Sequence, residues 1–136
     1  MRSIPGLYAL LAFFAARRMV VRGPSMYPTL HPGDRILFDR LAYRFADPQT
    51  GEIVLARHPS RPGVLFIKRI AFSDSKSLGV RFQPDTDEGG AYHLLGDNPD
   101  GSTDSRTLGA FRREDILAKA WLTYWPRDRM RRLDRT

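Results

Sequence analysis

The chain of 136 residues is long enough for one domain with a hydrophobic core, since 42% of its residues are hydrophobic and 27% are charged. It has no cysteine, which excludes a disulfide scaffold, a thiol nucleophile and a cysteine-ligated zinc site. The formal net charge of +7 favours anionic partners, although basic and acidic residues alternate along much of the sequence. The three histidines are scattered, so we predict no metal site.

The N-terminal segment is apolar from residue 7 to residue 16 and is followed by Arg17 and Arg18. A membrane-spanning helix needs about 20 apolar residues, so this run is too short by roughly half. It predicts a short helix within residues 1–18 that packs on the core or touches a membrane surface through residues 4–18. The arginines argue against export, so we expect a cytoplasmic or peripheral protein. The alternative is a membrane-anchored protein with an external catalytic domain.

After residue 18 the sequence consists of short apolar runs separated by Pro, Gly and Asp, a pattern typical of strands joined by turns. Leucine and alanine in the last run would allow a helix, but its aromatic end before a proline favours a strand. Strands at this spacing predict a mainly β fold, an antiparallel β-sandwich or partial barrel in one domain over residues 19–126. Residues 127–136 are predicted to be a basic tail. The predicted strands cover residues 35–39, 52–57, 64–72, 79–82, 92–95 and 116–125.

One serine, Ser25, lies in an octapeptide that contains Pro24 and Pro28. Each proline fixes its own φ and removes a backbone donor, and Pro28 also favours an extended conformation at Tyr27. The result is a stiff turn that presents one hydroxyl, which suits a nucleophile because a displacement of about 1 Å is costly. An ordinary proline-rich loop with an incidental serine explains the octapeptide equally well.

A lysine, Lys68, interrupts the longest predicted strand. Because side chains alternate along a strand, its apolar neighbours on the same face would be Val64, Phe66, Ile70 and Phe72. Burial among them would lower the pKa of the amine, and a neutral amine can accept a proton from a serine hydroxyl. The alternative is an edge strand from which Lys68 reaches water.

A third stretch, residues 96–106, is rich in turn formers and short polar side chains. Such a segment can hold hydroxyls and an Asp–Arg pair in fixed positions. Its composition also suits an acidic calcium-binding loop, but the glutamate at the twelfth position of an EF-hand is missing.

Taken together and in order, these stretches resemble the motifs of type I signal peptidases. They are Ser-Met-Tyr-Pro-Thr-Leu at 25–30, Pro-Gly-Asp at 32–34, the apolar strand with Lys68-Arg69, and Gly-Asp-Asn followed by Ser-Thr-Asp-Ser-Arg within 96–106. The resemblance covers residues 23–111. It implies a signal-peptidase-type catalytic domain and a serine endopeptidase with a Ser–Lys dyad.

Residue by residue, the resemblance implies that Ser25 attacks the scissile carbonyl and that Lys68 takes its proton. The backbone N–H of Ser25 would be one oxyanion donor. The remaining roles that it implies are a lysine-orienting serine, Ser102; structural support from Asp97, Asn98, Asp104 and Arg106; and substrate binding by Gly23, Met26 and Phe66. The substrate, a precursor protein or leader peptide, would bind as an added β-strand. No cofactor is implied.

The chain also departs from the family pattern. Gly23 stands where some members place a serine as second oxyanion donor, and the Gly-x-Pro-Gly-Asp run after Lys-Arg is absent. A second β-domain and a full membrane anchor are missing too. The short length, the Gly-Asp-Asn-Pro wording and residues 57–59 (Arg-His-Pro) are most similar to nickel-type superoxide dismutase maturation proteases, which trim a leader from the dismutase precursor.

Three alternatives compete with this interpretation. A minimal signal peptidase I would cleave exported preproteins at small-x-small sites. A self-cleaving repressor would need a DNA-binding region, but the 24 residues before Ser25 are too few for a helix-turn-helix. A basic, non-enzymatic module could bind lipid or nucleic acid, but few aromatic residues interleave with the basic ones, so nucleic acid is not an expected partner.

Overall fold

The computed structural model describes residues 6–61, 63–73, 91–101 and 109–134. These residues contain two short helices and eight strands that belong to one antiparallel sheet. The helices are α1 (Gly6–Ala15) and α2 (Ala42–Phe45); the strands are β1 (Arg17–Val20), β2 (Arg35–Asp39), β3 (Ile53–Arg57), β4 (Leu65–Ser73), β5 (Ala91–Leu95), β6 (Phe111–Arg112), β7 (Ile116–Trp125) and β8 (Arg131–Arg132). The predicted mainly β antiparallel fold with a short N-terminal helix is confirmed.

The strand order is β1-β2-β7-β3-β4-β5-β6, and β8 pairs with β7. The bounds predicted for β2 and β7 agree with the structure, those of β3 and β5 differ by one residue at one end, and those of β4 differ by one residue at each end. The last apolar run is a strand because β2 and β3 both pair with it, which satisfies its backbone on two sides. The strand predicted over residues 79–82 lies outside the described residues.

Helix α1 makes few contacts with the rest of the domain. Its Tyr8 hydroxyl donates a hydrogen bond of 2.8 Å to the Asp39 carboxylate, and the Tyr8 ring meets Phe45 edge to face. The large apolar side chains of the helix are exposed: Leu7, Leu10, Leu11, Phe13 and Phe14. The expectation that the run packs on the core is therefore wrong for these side chains. Over the described ranges, no helix is long and apolar enough to cross a membrane.

Strand β3 separates two hydrophobic cores because its side chains alternate between the two faces of the sheet. Ile53 and Leu55 belong to the first core, whereas Val54 and Ala56 belong to the second. The first core also contains Val21, Met26, Leu30, Ile36, Phe38, Ala118, Ala120 and Leu133. The second also takes Ile70, Tyr92, Leu94, Phe111 and Ile116.

The C-terminal segment, residues 127–134, is attached to the sheet although the sequence predicted a basic tail over 127–136. It contains β8, which pairs with β7, and it buries Leu133 in the first core. The Leu133 N–H donates a hydrogen bond of 2.8 Å to the Trp121 carbonyl. One apolar residue thus fixes a segment whose composition is otherwise dominated by arginine.

The two environments of phenylalanine in this fold predict very different effects of truncation. Phe38→Ala removes a side chain with 0% exposure and is expected to lower the free energy of unfolding by about 3–5 kcal/mol. Phe14→Ala removes a side chain that is 76% exposed and is expected to cost less than about 0.5 kcal/mol. Urea unfolding of both variants checks this, and similar losses would contradict the fold described for α1.

Candidate active site

The Ser25 loop, residues 21–34, joins β1 to β2 and is closed at its base by backbone hydrogen bonds. The Val21 N–H donates to the Asp34 carbonyl and the Gly33 N–H donates to the Val21 carbonyl, both at 2.8 Å. Met26 and Leu30 are each 1% exposed in the first core and hold the loop from below. Ser25 itself is half-buried between them and the surface.

Within this loop, the segment around Ser25 is a series of tight turns. The Tyr27 N–H donates to the Pro24 carbonyl at 3.0 Å, and the Leu30 N–H donates to the Met26 carbonyl at 2.9 Å. Gly23 has φ +76°, in the left-handed region that other residues rarely adopt. A serine at position 23, which would supply a side-chain oxyanion donor, would therefore be strained in this backbone.

The Gly-Asp-Asn turn after β5 holds the Ser25 loop from above. The Asn98 N–H donates to the Ser25 carbonyl at 2.8 Å, and the Asn98 side-chain amide donates to the Pro24 carbonyl at 3.0 Å. The Thr29 hydroxyl donates to the Asp97 carboxylate at 2.5 Å. Three hydrogen bonds, two donated by Asn98 and one accepted by Asp97, thus connect the turn to the loop on both sides of Ser25.

Asp97 is in turn held by Arg69 of β4. The Arg69 guanidinium donates two hydrogen bonds to the Asp97 carboxylate, at 3.0 and 2.8 Å, and a third to the Gly51 carbonyl at 2.8 Å. Burial raises the pKa of Asp97, but the hydrogen bonds from Arg69 and Thr29 outweigh burial and bring this pKa below its usual value. The bond to Asp97 is also the main reason why the pKa of Arg69 is raised.

Lys68 precedes Arg69 and points to the opposite face of β4. It is only 2% exposed, it lies directly across from Val54 of the second core, and its Nζ is 5.5 Å from the centroid of the Phe66 ring. Although β5 pairs with β4 only from Arg69 onward, the alternative in which Lys68 reaches water is wrong because its side chain is buried. Burial of this kind disfavours the charged ammonium.

The predicted apolar neighbours of Lys68 are only partly as expected. Phe66 and Ile70 belong to the second core, as the alternation along the strand predicts. Val64 lies before β4 and is exposed. Phe72 is also exposed and stacks on His93, because the pairing of β4 with β5 is irregular between Ile70 and Phe72.

The structure connects three of the residues that the sequence singled out: Asn98 bonds to the Ser25 carbonyl, and Asp97 bonds to Thr29 of the same loop and to Arg69, the residue after Lys68. Ser102, Asp104 and Arg106 lie outside the described residues. Met26 is buried, so its side chain supports the loop, and any contact with substrate at this position would come from its backbone. No metal-binding group of histidine, aspartate and glutamate occurs in the described part of the chain.

Two residues of this network were not assigned a role from the sequence. Thr29 and Arg69 both lie inside the quoted motifs, and they are the partners of Asp97. Their positions could have indicated a role, since Thr29 is the next-to-last residue of the proline-rich octapeptide 23–30 and Arg69 is adjacent to Lys68.

Comparison with known proteins agrees with this geometry. Residues 3–72 and 73–125 match the family model described as signal peptidase, peptidase S26. The chain is 36% identical over 115 residues to the mitochondrial ATP-independent inner membrane protease subunit 1a of Arabidopsis thaliana, covering 78% of this chain and 68% of that protein. It is 32% identical over 129 residues to the mitochondrial inner membrane protease subunit 1 of Xenopus tropicalis (89% and 77%). It is 28% identical over 153 residues to the probable signal peptidase I-1 of Synechocystis sp. (90% and 78%).

The chain therefore belongs to the S26 signal peptidase family and is a serine-type endopeptidase that removes leader peptides. Because the family consists of peptidases, the alternative of a non-enzymatic basic module is not supported as the main function.

The Arg69–Asp97 pair predicts a pH-dependent contribution to stability. At neutral pH, Asp97→Asn is expected to lower the free energy of unfolding by about 1–3 kcal/mol, because a charge-assisted, partly buried pair is lost. Because the pKa of Asp97 is lowered in the folded protein, its contribution is present above the ordinary aspartate pKa and disappears as pH falls through the folded value.

The difference between the wild type and Asp97→Asn should therefore shrink between neutral pH and about pH 3. Urea unfolding at both pH values measures it. Asp100→Asn, at an exposed position of the same turn, is the matched control and should stay within about 0.5 kcal/mol of the wild type at neutral pH. If the difference in unfolding free energy were the same at both pH values, the lowered pKa of Asp97 in the folded protein would be contradicted.

Proposed function

We propose that Ser25 is the nucleophile and Lys68 its general base in the removal of an N-terminal leader from a precursor protein. The observation that carries the proposal is the buried Lys68, whose neighbour Arg69 connects the same strand to the Ser25 loop through Asp97. A buried amine next to an apolar core favours its neutral form, which can accept a proton.

In the first half of the reaction, the Ser25 Oγ bonds to the scissile carbonyl carbon while the Lys68 Nζ accepts the hydroxyl proton. The backbone N–H of Ser25 stabilises the oxyanion. The carbon–nitrogen bond then breaks, and the Lys68 ammonium returns its proton to the leaving amine, which is the new N-terminus of the mature protein. In the second half, Lys68 activates water, which hydrolyses the ester on Ser25 and releases the leader as a carboxylate.

The pairing of β4 supports substrate binding as an added strand. Residues 65–68 pair with β3 on one side, whereas β5 pairs with β4 only from Arg69 onward. In the part of the chain that the structure describes, the second edge of residues 65–68 therefore carries no strand. A leader bound there would place its scissile bond beside Lys68, with Phe66 and Gly23 as further contacts.

The dyad predicts that Ser25→Ala and Lys68→Met each reduce leader cleavage by about a thousandfold or more, because the nucleophile or its base is lost. Lys68→Met keeps the length of the side chain in its apolar site, so the fold should survive. Lys119→Met is the matched control, since Lys119 of β7 forms an ion pair with Glu52, the residue before β3, and this variant should cleave at close to the wild-type rate.

Cleavage is measured by mass spectrometry of both products, with circular dichroism as the check of folding. Full cleavage by either Ser25→Ala or Lys68→Met would remove that residue from the dyad.

The narrower proposal is that the substrate is a nickel-type superoxide dismutase precursor. It is supported by the Gly-Asp-Asn-Pro motif at residues 96–99 and by the Arg-His-Pro sequence at residues 57–59. The relatives are named as signal peptidases and inner membrane proteases, which favours the broader alternative of a minimal signal peptidase. For that alternative, we expect an exported preprotein with a small-x-small site to be the substrate. Incubation of the wild type with each precursor separates the two, because only the true substrate is cut at a single bond in a Ser25-dependent reaction.

We further propose that α1 lies on a membrane surface. Its exposed leucine and phenylalanine side chains have no protein to cover them in the described structure, and the exposed Arg17 and Arg18 follow directly. An apolar helix flanked by arginines suits the boundary between acyl chains and anionic headgroups.

This arrangement predicts binding to lipid vesicles that contain phosphatidylglycerol. Replacement of Phe13 and Phe14 by serine should weaken binding by at least about tenfold, because burial of each aromatic side chain is worth about 1.5–3 kcal/mol. Flotation of the protein with vesicles measures it. Phe72→Ser, at an exposed phenylalanine of β4 that stacks on His93, is the comparison. Equal loss in both variants would contradict a surface centred on α1.

A further inference from the structure

The C-terminal segment, residues 127–134, contacts the Ser25 loop at the end of the loop that leads into β2. The Arg129 guanidinium donates to one oxygen of the Asp34 carboxylate at 2.9 and 2.8 Å. The other Asp34 oxygen accepts the His31 N–H at 2.9 Å, and Asp34 is 2% exposed. The pair therefore joins the C-terminal segment to the base of the loop.

A second arginine of this segment reaches the middle of the loop. The Arg131 Nη2 donates a hydrogen bond of 2.9 Å to the Thr29 carbonyl. The Thr29 hydroxyl donates to Asp97. Thr29 is thus held by two elements, its side chain by the Gly-Asp-Asn turn and its backbone by the C-terminal segment.

We propose that Arg131 is a positioning residue for Ser25, so that the C-terminal segment takes part in catalysis by clamping the Ser25 loop. This inference rests on the proposed role of Ser25 as the nucleophile. The turns from Pro24 to Leu30 are closed by their own hydrogen bonds, so a displacement at Thr29 is passed on to Ser25. A displaced nucleophile reacts slowly even when the substrate still binds.

Two features make Arg131 effective as a clamp. The segment that carries it is itself fixed, since β8 pairs with β7 and Leu133 is buried. A cavity of about 360 Å³ lies between the loop and the segment, with Thr29, Thr123 and Arg131 in its lining. Hydrogen bonds of the arginines therefore bridge a gap here, and the loop has room to shift when the Arg131 bond is removed.

Of Arg129 and Arg131, Arg131 is the better site for a test substitution. Loss of Arg129 would leave the buried Asp34 carboxylate without its cation, which threatens folding itself. Arg131 is exposed and donates to a neutral carbonyl, so Arg131→Ala is expected to fold. The adjacent Arg132 is the matched control, because it has the same charge and strand but binds Asp134.

The test uses the full chain and a p-nitrophenyl ester, whose small acyl group makes few contacts with the enzyme. The burst of p-nitrophenolate reports acylation: its rate constant measures the reactivity of the serine, and its amplitude measures the fraction of folded enzyme. Thermal unfolding of each variant is recorded in parallel. Ser25→Ala is run first, because a burst in that variant would show that the proposed function, rather than the clamp, is wrong.

We expect Arg131→Ala to lower the burst rate constant about tenfold with an unchanged amplitude. This is less than the roughly hundredfold cost of a 1 Å displacement, because the Gly-Asp-Asn turn still holds the loop. Arg131→Lys should recover part of the rate, since its ammonium can also donate to the Thr29 carbonyl, and Arg132→Ala should match the wild type.

Three results would overturn the inference. They are a wild-type rate constant in Arg131→Ala, a loss of amplitude and thermal stability without a change in rate constant, and an Arg131→Lys variant that recovers nothing.

Discussion

The Arg69–Asp97 ion pair is the interaction on which the geometry of the site depends. Asp97 receives two hydrogen bonds from the guanidinium of β4 and one from Thr29 of the Ser25 loop. The neighbouring Asn98 holds the Ser25 and Pro24 carbonyls. A single partly buried carboxylate therefore connects the strand that carries Lys68 with the loop that carries Ser25. The loop lies outside the sheet, and this polar contact, together with the buried Met26 and Leu30, fixes it relative to β4.

The dipeptide Lys68-Arg69 shows how the pleat of a strand divides two tasks between neighbours. Lys68 lies on the face of Val54 and the second core, where it is buried, and Arg69 points to the other side, where it forms the ion pair with Asp97. The two cationic side chains are adjacent in sequence, yet their environments are opposite. A shift of β4 by one residue would exchange these environments, which would break the Arg69–Asp97 pair and remove the burial on which the proposed role of Lys68 depends.

The two ends of the described chain differ in how they relate to the sheet. At the N-terminus, α1 is joined to the domain mainly through Tyr8 and presents its apolar side chains outward. At the C-terminus, residues 127–134 are drawn onto the sheet by Leu133, and their arginines reach the Ser25 loop. One end thus offers a surface for a partner outside the domain, whereas the other contributes to the rigidity of the proposed catalytic loop.

The sequence by itself determined the strands with clear patterns, such as Arg35–Asp39 and Ile116–Trp125, and the alternation that buries Lys68 between Phe66 and Ile70. The order of the motifs also indicated the family. Only the tertiary structure decided that Thr29 and Arg69 meet at Asp97, that residues 131–132 form a strand, and that α1 stays off the core. The physical reason is distance along the chain. Local patterns set which face a side chain takes, but Arg131 and Thr29 are 102 positions apart and meet because β8 pairs with β7, which in turn pairs with β2 at the end of the Ser25 loop.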